Sequence, residues 1–222
     1  MPRLLALDSS TEACSVALLD GDVVFERYLE APREHMLRLL PMVDELLRER
    51  GLTLRDLDAI TFARGPGSFT GLRICVGMVQ GLAFGVDLPV IPISTLAVLA
   101  QAGVTAELSA GTHILSAIDA RMDEVYWAWF QLNAAGLVES VGDEQLSAPE
   151  RVDCGISFTR KIGVGSGWQY RPRLSDDGFS QIDETLLPRA AAILQLALPL
   201  WLAGAAVDVE QALPVYLRDK VV

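Results

Sequence analysis

LLALDSSTEACSVALLDGDVVFERYLE, residues 4–30, consists of three apolar runs parted by two turns. The second turn is Gly21-Asp22, a pair suited to reversing the chain between strands. The first is the longer, polar Asp8-Ser9-Ser10-Thr11. The pattern predicts an antiparallel three-strand meander. Hydroxyls, backbone N–H groups and one carboxylate at the first turn are able to wrap a phosphate or hold a magnesium ion. A polar hairpin whose side chains cap their own backbone has the same composition, and spacing leaves both readings open.

Beyond the meander, apolar residues at 36, 39, 40, 43, 46 and 47 predict a helix from Glu34 to Arg50, closed by Gly51. Pro41 is expected to kink it or to open a fresh first turn. LDAITFA, residues 57–63, reads as a strand running into the Gly-rich GPGSFTG, residues 65–71, with a helix from Leu72 to about Phe84. LPVIPIS then gives a strand and TLAVLAQAG a helix. Near residue 105 the pattern restarts: HILSAIDA and VYWAWFQL read as paired strands joined at Arg121 to Glu124. KIGVGSGW reads as a buried strand entering a turn, RPRLSDDGFSQIDE as a polar loop, and PRAAAILQLAL as a helix opened by Pro188. The expected division is therefore a first lobe over residues 1–104 and a second over 105–222, with a C-terminal tail able to pack back on the first.

With 222 residues, 51% of them hydrophobic, the chain can build a real core. Eighteen Lys plus Arg against 29 Asp plus Glu give −11, which argues against a free-standing nucleic-acid binder, because such a surface repels phosphate backbones. Work on RNA would need a basic partner. Cys14, Cys75 and Cys154 are too isolated for a zinc cluster or a disulfide framework, and the short apolar start before Asp8 lacks the pattern of a secretory signal. A reducing cytoplasm is the expected setting. Ala190 to Val207 carries no charge but is interrupted by Gln195 and Pro199, and is expected to be a buried helix rather than a membrane span.

The chemistry-bearing motifs are thin. GPGSFTG is not a Walker A loop, since Leu72 and Arg73 follow Gly71, and Gly163 to Trp168 misses GxGxxG at its last position. His35 and His113 are the only histidines, and neither HExxH nor a Gly-x-Ser-x-Gly elbow is present. The cysteines lack basic neighbours that would favour a thiolate. Asp119-Ala-Arg121-Met-Asp123-Glu124 reads as an ion-pair set at a hairpin turn ahead of a binding site. Most telling is LRICVGMVQGLAFG, residues 72–85, with Gly77, Gly81 and Gly85 at four-residue spacing. Each interior glycine costs a helix about 1 kcal/mol relative to alanine, so the stripe implies close approach by another backbone, either in its own fold or in a second chain.

Taken together, LLALDSSTEACSVALL, HMLRLLPMVDELL, FARGPGSFTGLRICVGMVQGLAFG, SAIDARMDEVYWA and PVYLRDKV resemble the TsaB (YeaZ) family over nearly the whole chain. The resemblance implies an α/β actin/Hsp70-like ATPase (ASKHA) fold of two lobes, each with a mixed sheet and flanking helices. It also implies a non-catalytic scaffold or activator subunit in the cytoplasm. Such a subunit pairs with its paralogue TsaD, which carries threonylcarbamoyl to N6 of adenosine 37 in ANN-decoding tRNAs, and is joined by the ATPase TsaE. It would be a homodimer when alone, would meet tRNA only through the complex and would have no membrane role. The implied partner face uses His35, Leu39, Arg73, Ile74, Gly77, Met78, Gly81, Phe84 and Gly85. TsaD-like paralogues hold a metal with H-x-x-x-H on the first helix; here His35 is followed at that spacing by Leu39, so no metal is expected. Ser10 stands where the fold's phosphate turn has glycine, which leaves Asp8, Ser9, Ser10 and Thr11 as a weak nucleotide site and no tightly bound cofactor. The alternative is an independent ATP-binding enzyme or peptidase of the same fold.

Overall fold

A computed structural model describes residues 2–155 and 157–218. The meander is present as β1 (Arg3–Asp8), β2 (Ala13–Asp20) and β3 (Val23–Glu30), antiparallel with Leu4 opposite Leu19 and Asp8 opposite Ser15. β4 (Ala59–Gly65) adds in parallel beside β1, and β5 (Val90–Ser94) beside β4, giving a five-stranded sheet in the order β3-β2-β1-β4-β5. Helices α1 (His35–Glu49) and α2 (Phe69–Val86) pack on β2 and β4. Their inward residues join Leu5, Leu7, Cys14, Val16 and Leu18 in one core. Side chains alternate along a strand, so Ser15 points to the other face, where its hydroxyl accepts the first backbone N–H of α4 (Ala190–Leu202), from Ala190, at 3.0 Å. Glu26 accepts the next, from Ala191, and pairs with Arg189 at 2.6 Å. Covered on both faces, β1 is buried from Leu4 to Asp8, as a central strand must be.

After α3 (Thr95–Ala102), a second, six-stranded sheet repeats the plan. β6 (His113–Arg121) and β7 (Glu124–Leu132) form a hairpin, β8 (Val138–Ser140) and β9 (Gln145–Ser147) pair with β7, and β10 (Lys161–Val164) and β11 (Phe179–Asp183) run parallel beside β6. Two mixed sheets with flanking helices make up the actin/Hsp70-like architecture. Contacts divide the chain inside α3: one compact unit runs to Val98 and includes Pro188–Val215, and the other holds Leu99–Leu187 and the chain from Tyr216. Periodicity places the cut at 104/105 instead. Pro188–Val215 belongs with the first sheet because α4 buries Ala190, Ile193, Leu194 and Ala197 there.

α1 continues through Pro41 without a fresh first turn, and Pro41 lies on its exposed side. Two local expectations need correction. α2 starts at Phe69 rather than Leu72, because the Ser68 hydroxyl caps it by accepting the Gly71 N–H at 3.3 Å. Part of the polar RPRLSDDGFSQIDE segment is strand β11, held by its backbone pairing to β10.

Candidate functional site

The Asp8–Thr11 turn is closed. Asp8, Ser9 and Ser10 have no exposed surface, and Thr11 is buried. Asp8 Oδ1 accepts the Ser10 N–H at 2.8 Å, the Ser9 hydroxyl donates to the Gly71 carbonyl at 2.9 Å, and the Ser68 N–H donates to the Ser10 carbonyl at 2.7 Å. The Gly-rich loop therefore lies directly on the turn. A Cβ on Gly67 would fall 2.4 Å from the Ser10 carbonyl oxygen, and one on Gly71 2.0 Å from that of Ser9. Only glycine allows that approach. Asp8 Oδ2 and the Ser10 hydroxyl are buried without a hydrogen-bond partner. Burial pushes the Asp8 carboxyl above its ordinary range, against the lowering effect of the Ser10 N–H. With protein backbone seated on it, the turn caps its own chain and the Gly-rich loop, and a phosphate would have to displace that loop.

His35 and Leu39 lie in the interior rather than on a partner face. His35 Nε2 is 2.6 Å from the Thr11 carbonyl oxygen and Nδ1 is 3.0 Å from that of Ala31; Leu39 is in the core. The apolar positions of α1 cover more than one face: those at 39, 43, 46 and 47 are buried with His35. Met36 (69% exposed), Leu37 (71%) and Leu40 (48%) are left outward. On α2, Leu72, Cys75, Val76, Val79 and Ala83 are buried, while Arg73, Gly77, Gly81, Phe84 and Gly85 are exposed and Ile74 and Met78 are half-buried. A Cβ on Gly77, Gly81 or Gly85 would meet nothing within 4 Å. Tight packing on the chain's own sheet is thus not what the stripe serves. Between the two helices lies a groove of about 520 Å³ lined by Met36, Phe69, Thr70, Arg73, Ile74, Gly77 and Met78, with the Arg73 guanidinium 3.7 Å over the Phe69 ring. α2 also has the length and apolarity of a membrane span, a property that sequence reading weighed only for Ala190 to Val207. Its buried third packs on β4.

The second unit fills its Gly-rich turn in another way. A Cβ on Gly163 would lie 2.3 Å from the Trp168 indole, and one on Gly165 2.4 Å from the Ala117 carbonyl oxygen. Trp168 is fully buried, its N–H donating to the Leu115 carbonyl at 3.3 Å. The acidic and basic residues of the β6-β7 turn are an ion-pair set: Arg121 with Asp119 and Arg173 with Asp123, each at 3.0 Å, and Arg218 with Glu124 at 2.5 Å. His113 stacks on Phe158 at 3.7 Å, and burial lowers its pKa.

Burial pushes the Cys14 thiol up to about 11 and raises Cys75 and Cys154 as well, the opposite of what a nucleophilic thiolate requires. Among the described residues, no three His, Cys, Asp or Glu side chains gather as metal ligands would. What sequence reasoning missed is the outward set Met36, Leu37, Leu40 and Phe69. Its signal was the excess width of the apolar stripe on α1.

The family described as "TsaD: tRNA N6-adenosine threonylcarbamoyltransferase" matches residues 29–164. The chain is 44% identical, over 99% of its length and 96% of the relative's, to the Escherichia coli K12 protein named tRNA threonylcarbamoyladenosine biosynthesis protein TsaB. The solved structure of YeaZ from Pseudomonas aeruginosa superposes with a TM-score of 0.92 at 49% identity, covering 98% of this chain and all of that one. A second, described as an uncharacterized protein with similarity to peptidase YeaZ from Pseudomonas aeruginosa, gives 0.91 at 48% identity, with the same coverage of both chains.

Proposed function

We propose that this chain, which belongs to the TsaB family of tRNA threonylcarbamoyladenosine biosynthesis proteins, is a subunit that performs no chemistry itself and activates a TsaD-type partner by pairing through the α1/α2 face. The observation that carries this reading is the glycine stripe. Gly77, Gly81 and Gly85 each cost α2 about 1 kcal/mol, and among the described residues no other segment comes within 4 Å of where their Cβ atoms would lie. A helix that keeps such residues on an exposed face gains from them when a second backbone comes close, as in small-residue helix pairs. Met36, Leu37 and Phe84 supply the apolar surround expected of a pairing face. Alone, the chain uses the same face to form a homodimer, which a TsaD-type subunit replaces.

In this reading the transferred group, the RNA channel and any metal come from TsaD and the TsaE ATPase, and tRNA is met only through the complex. A net charge of −11 fits that division of labour, and the setting is the cytoplasm. The sealed Asp8–Thr11 turn supports the absence of a tightly held nucleotide. Against the peptidase alternative, burial raises all three thiols and His35 has both ring nitrogens at carbonyl oxygens. Reconstituted threonylcarbamoylation of tRNA with TsaD, TsaE and the donor tests the reading. Turnover is expected only when this chain is added; full turnover without it, or modification by this chain alone, would overturn the proposal.

A further inference from the structure

We propose that two copies of this chain pair through α2 in one antiparallel register, with Phe84 of each copy seated in the other's groove between Arg73 and Gly77. The inference rests on the homodimer proposed for this face and fixes its geometry. A two-fold dimer uses one patch twice, so knob and hole must lie on the same chain at equal distances from the axis. α2 meets that condition about the point midway between Gly77 and Gly81, where neither residue holds a second backbone off. On one side of that point Phe84 stands 76% exposed. It lies about 7.5 Å along the helix at 1.5 Å per residue. On the other side Thr70, Arg73, Ile74 and Gly77 line the groove between α1 and α2. They have the i, i+3, i+4, i+7 spacing of a hole that takes a knob from a facing helix, and the centre of the hole is about 8 Å from the same point.

Charge selects the same register. Arg73 and Asp87 are both exposed, on opposite sides of the axis point. Antiparallel pairing therefore brings Arg73 of each copy beside Asp87 of the other, at both ends of the seam. α2 has no basic residue in its own last turn, where unpaired carbonyls favour a cation; the other copy's Arg73 supplies it. The incoming Phe84 ring also meets a guanidinium that already lies 3.7 Å over Phe69, leaving an arginine between two aromatic faces. A parallel two-fold pair would instead set Arg73 against Arg73 and Phe84 against Phe84, and both grooves would stay without a knob.

Sedimentation equilibrium of the full chain tests the register. Phe84→Ala should raise the Kd for self-association by at least about tenfold, the loss expected of a central aromatic knob. Arg73→Glu and Asp87→Lys each place like charges at both ends of the seam, and each alone should weaken pairing by a similar factor. An equimolar mixture of these two variants should then pair nearly as the wild type does. In the mixed dimer one end keeps the native Arg73–Asp87 pair and the other carries its reverse, Glu with Lys. If the mixture pairs no better than its components, or Phe84→Ala leaves the Kd unchanged, the register is wrong while the homodimer stands. A wild type that stays monomeric at every concentration reached would overturn the homodimer and the register together.

Discussion

Each sheet opens with a hairpin, and the two hairpin turns have opposite fates. Between β1 and β2 the chain passes through buried Ser9, Ser10 and Thr11, and the Gly65–Gly71 loop is laid over them at distances only glycine permits. Between β6 and β7 it turns at Met122 and Asp123 alone. Arg121, Met122 and Asp123 all have left-handed φ, at 62°, 55° and 61°, and Met122 is 65% exposed. Positive φ at both central residues is what a two-residue hairpin turn demands; the surrounding arginine–carboxylate pairs fasten it. One turn is sealed by backbone and the other is too short to wrap anything, while an indole fills the turn after β10. The two first hairpins are thus closed by different means, while Met36, Leu37, Leu40 and Phe84 stand exposed on the outer helices of the first unit.

The largest effect expected from breaking this arrangement is at Trp168. Trp168→Ala empties the space behind Gly163 and should cost about 3–5 kcal/mol in denaturant unfolding; a loss below about 1 kcal/mol would mean that the indole is not the filler. In the first unit the plug is backbone, so addition rather than removal is the probe. Gly71→Ala should cost about 1–3 kcal/mol or more by overpacking against Ser9. Gly77→Ala, on the same helix with open space around it, should gain about 1 kcal/mol. Equal effects at the two glycines would erase the distinction between the sealed turn and the free face.

A smaller effect is expected at Asp8. Its carboxyl holds a proton more tightly in the folded chain than in the unfolded one, so the fold weakens as pH rises through the folded value and is relieved of that penalty below the ordinary carboxylate range. Asp8→Asn should therefore raise the melting temperature at pH 7, with the gain shrinking as pH falls toward 4. A gain that grows on acidification would reverse the assignment.

Much of this fold is legible in short-range pattern. The meander of residues 4–30, the Gly-rich loop before a helix and the restart at HILSAIDA follow from alternation and turn residues, which act locally. β11 was hidden because FSQID has no apolar alternation and is held by its neighbour's backbone. The sealing of the first turn was hidden for a related reason: it joins Ser9 to Gly71 and Ser10 to Ser68, contacts that no window on the sequence brings together. Periodicity located the helices, but the resemblance placed His35 and Leu39 on an outward face, and the structure buries both. On a helix whose apolar positions exceed one face, only the packed structure says which of them turn inward.

The central claim, a chain that acts by presenting α2, is tested most directly by Gly81→Leu. Its side chain enters open space, so the isolated protein should stay folded. In reconstituted tRNA modification the rate should then rise with variant concentration along a curve shifted to at least tenfold higher protein, with Gly81 part of a seam whose loss weakens assembly, and should reach the wild-type plateau. A lowered plateau at an unshifted midpoint would contradict the account, because it would place the defect in a catalytic step and not in pairing.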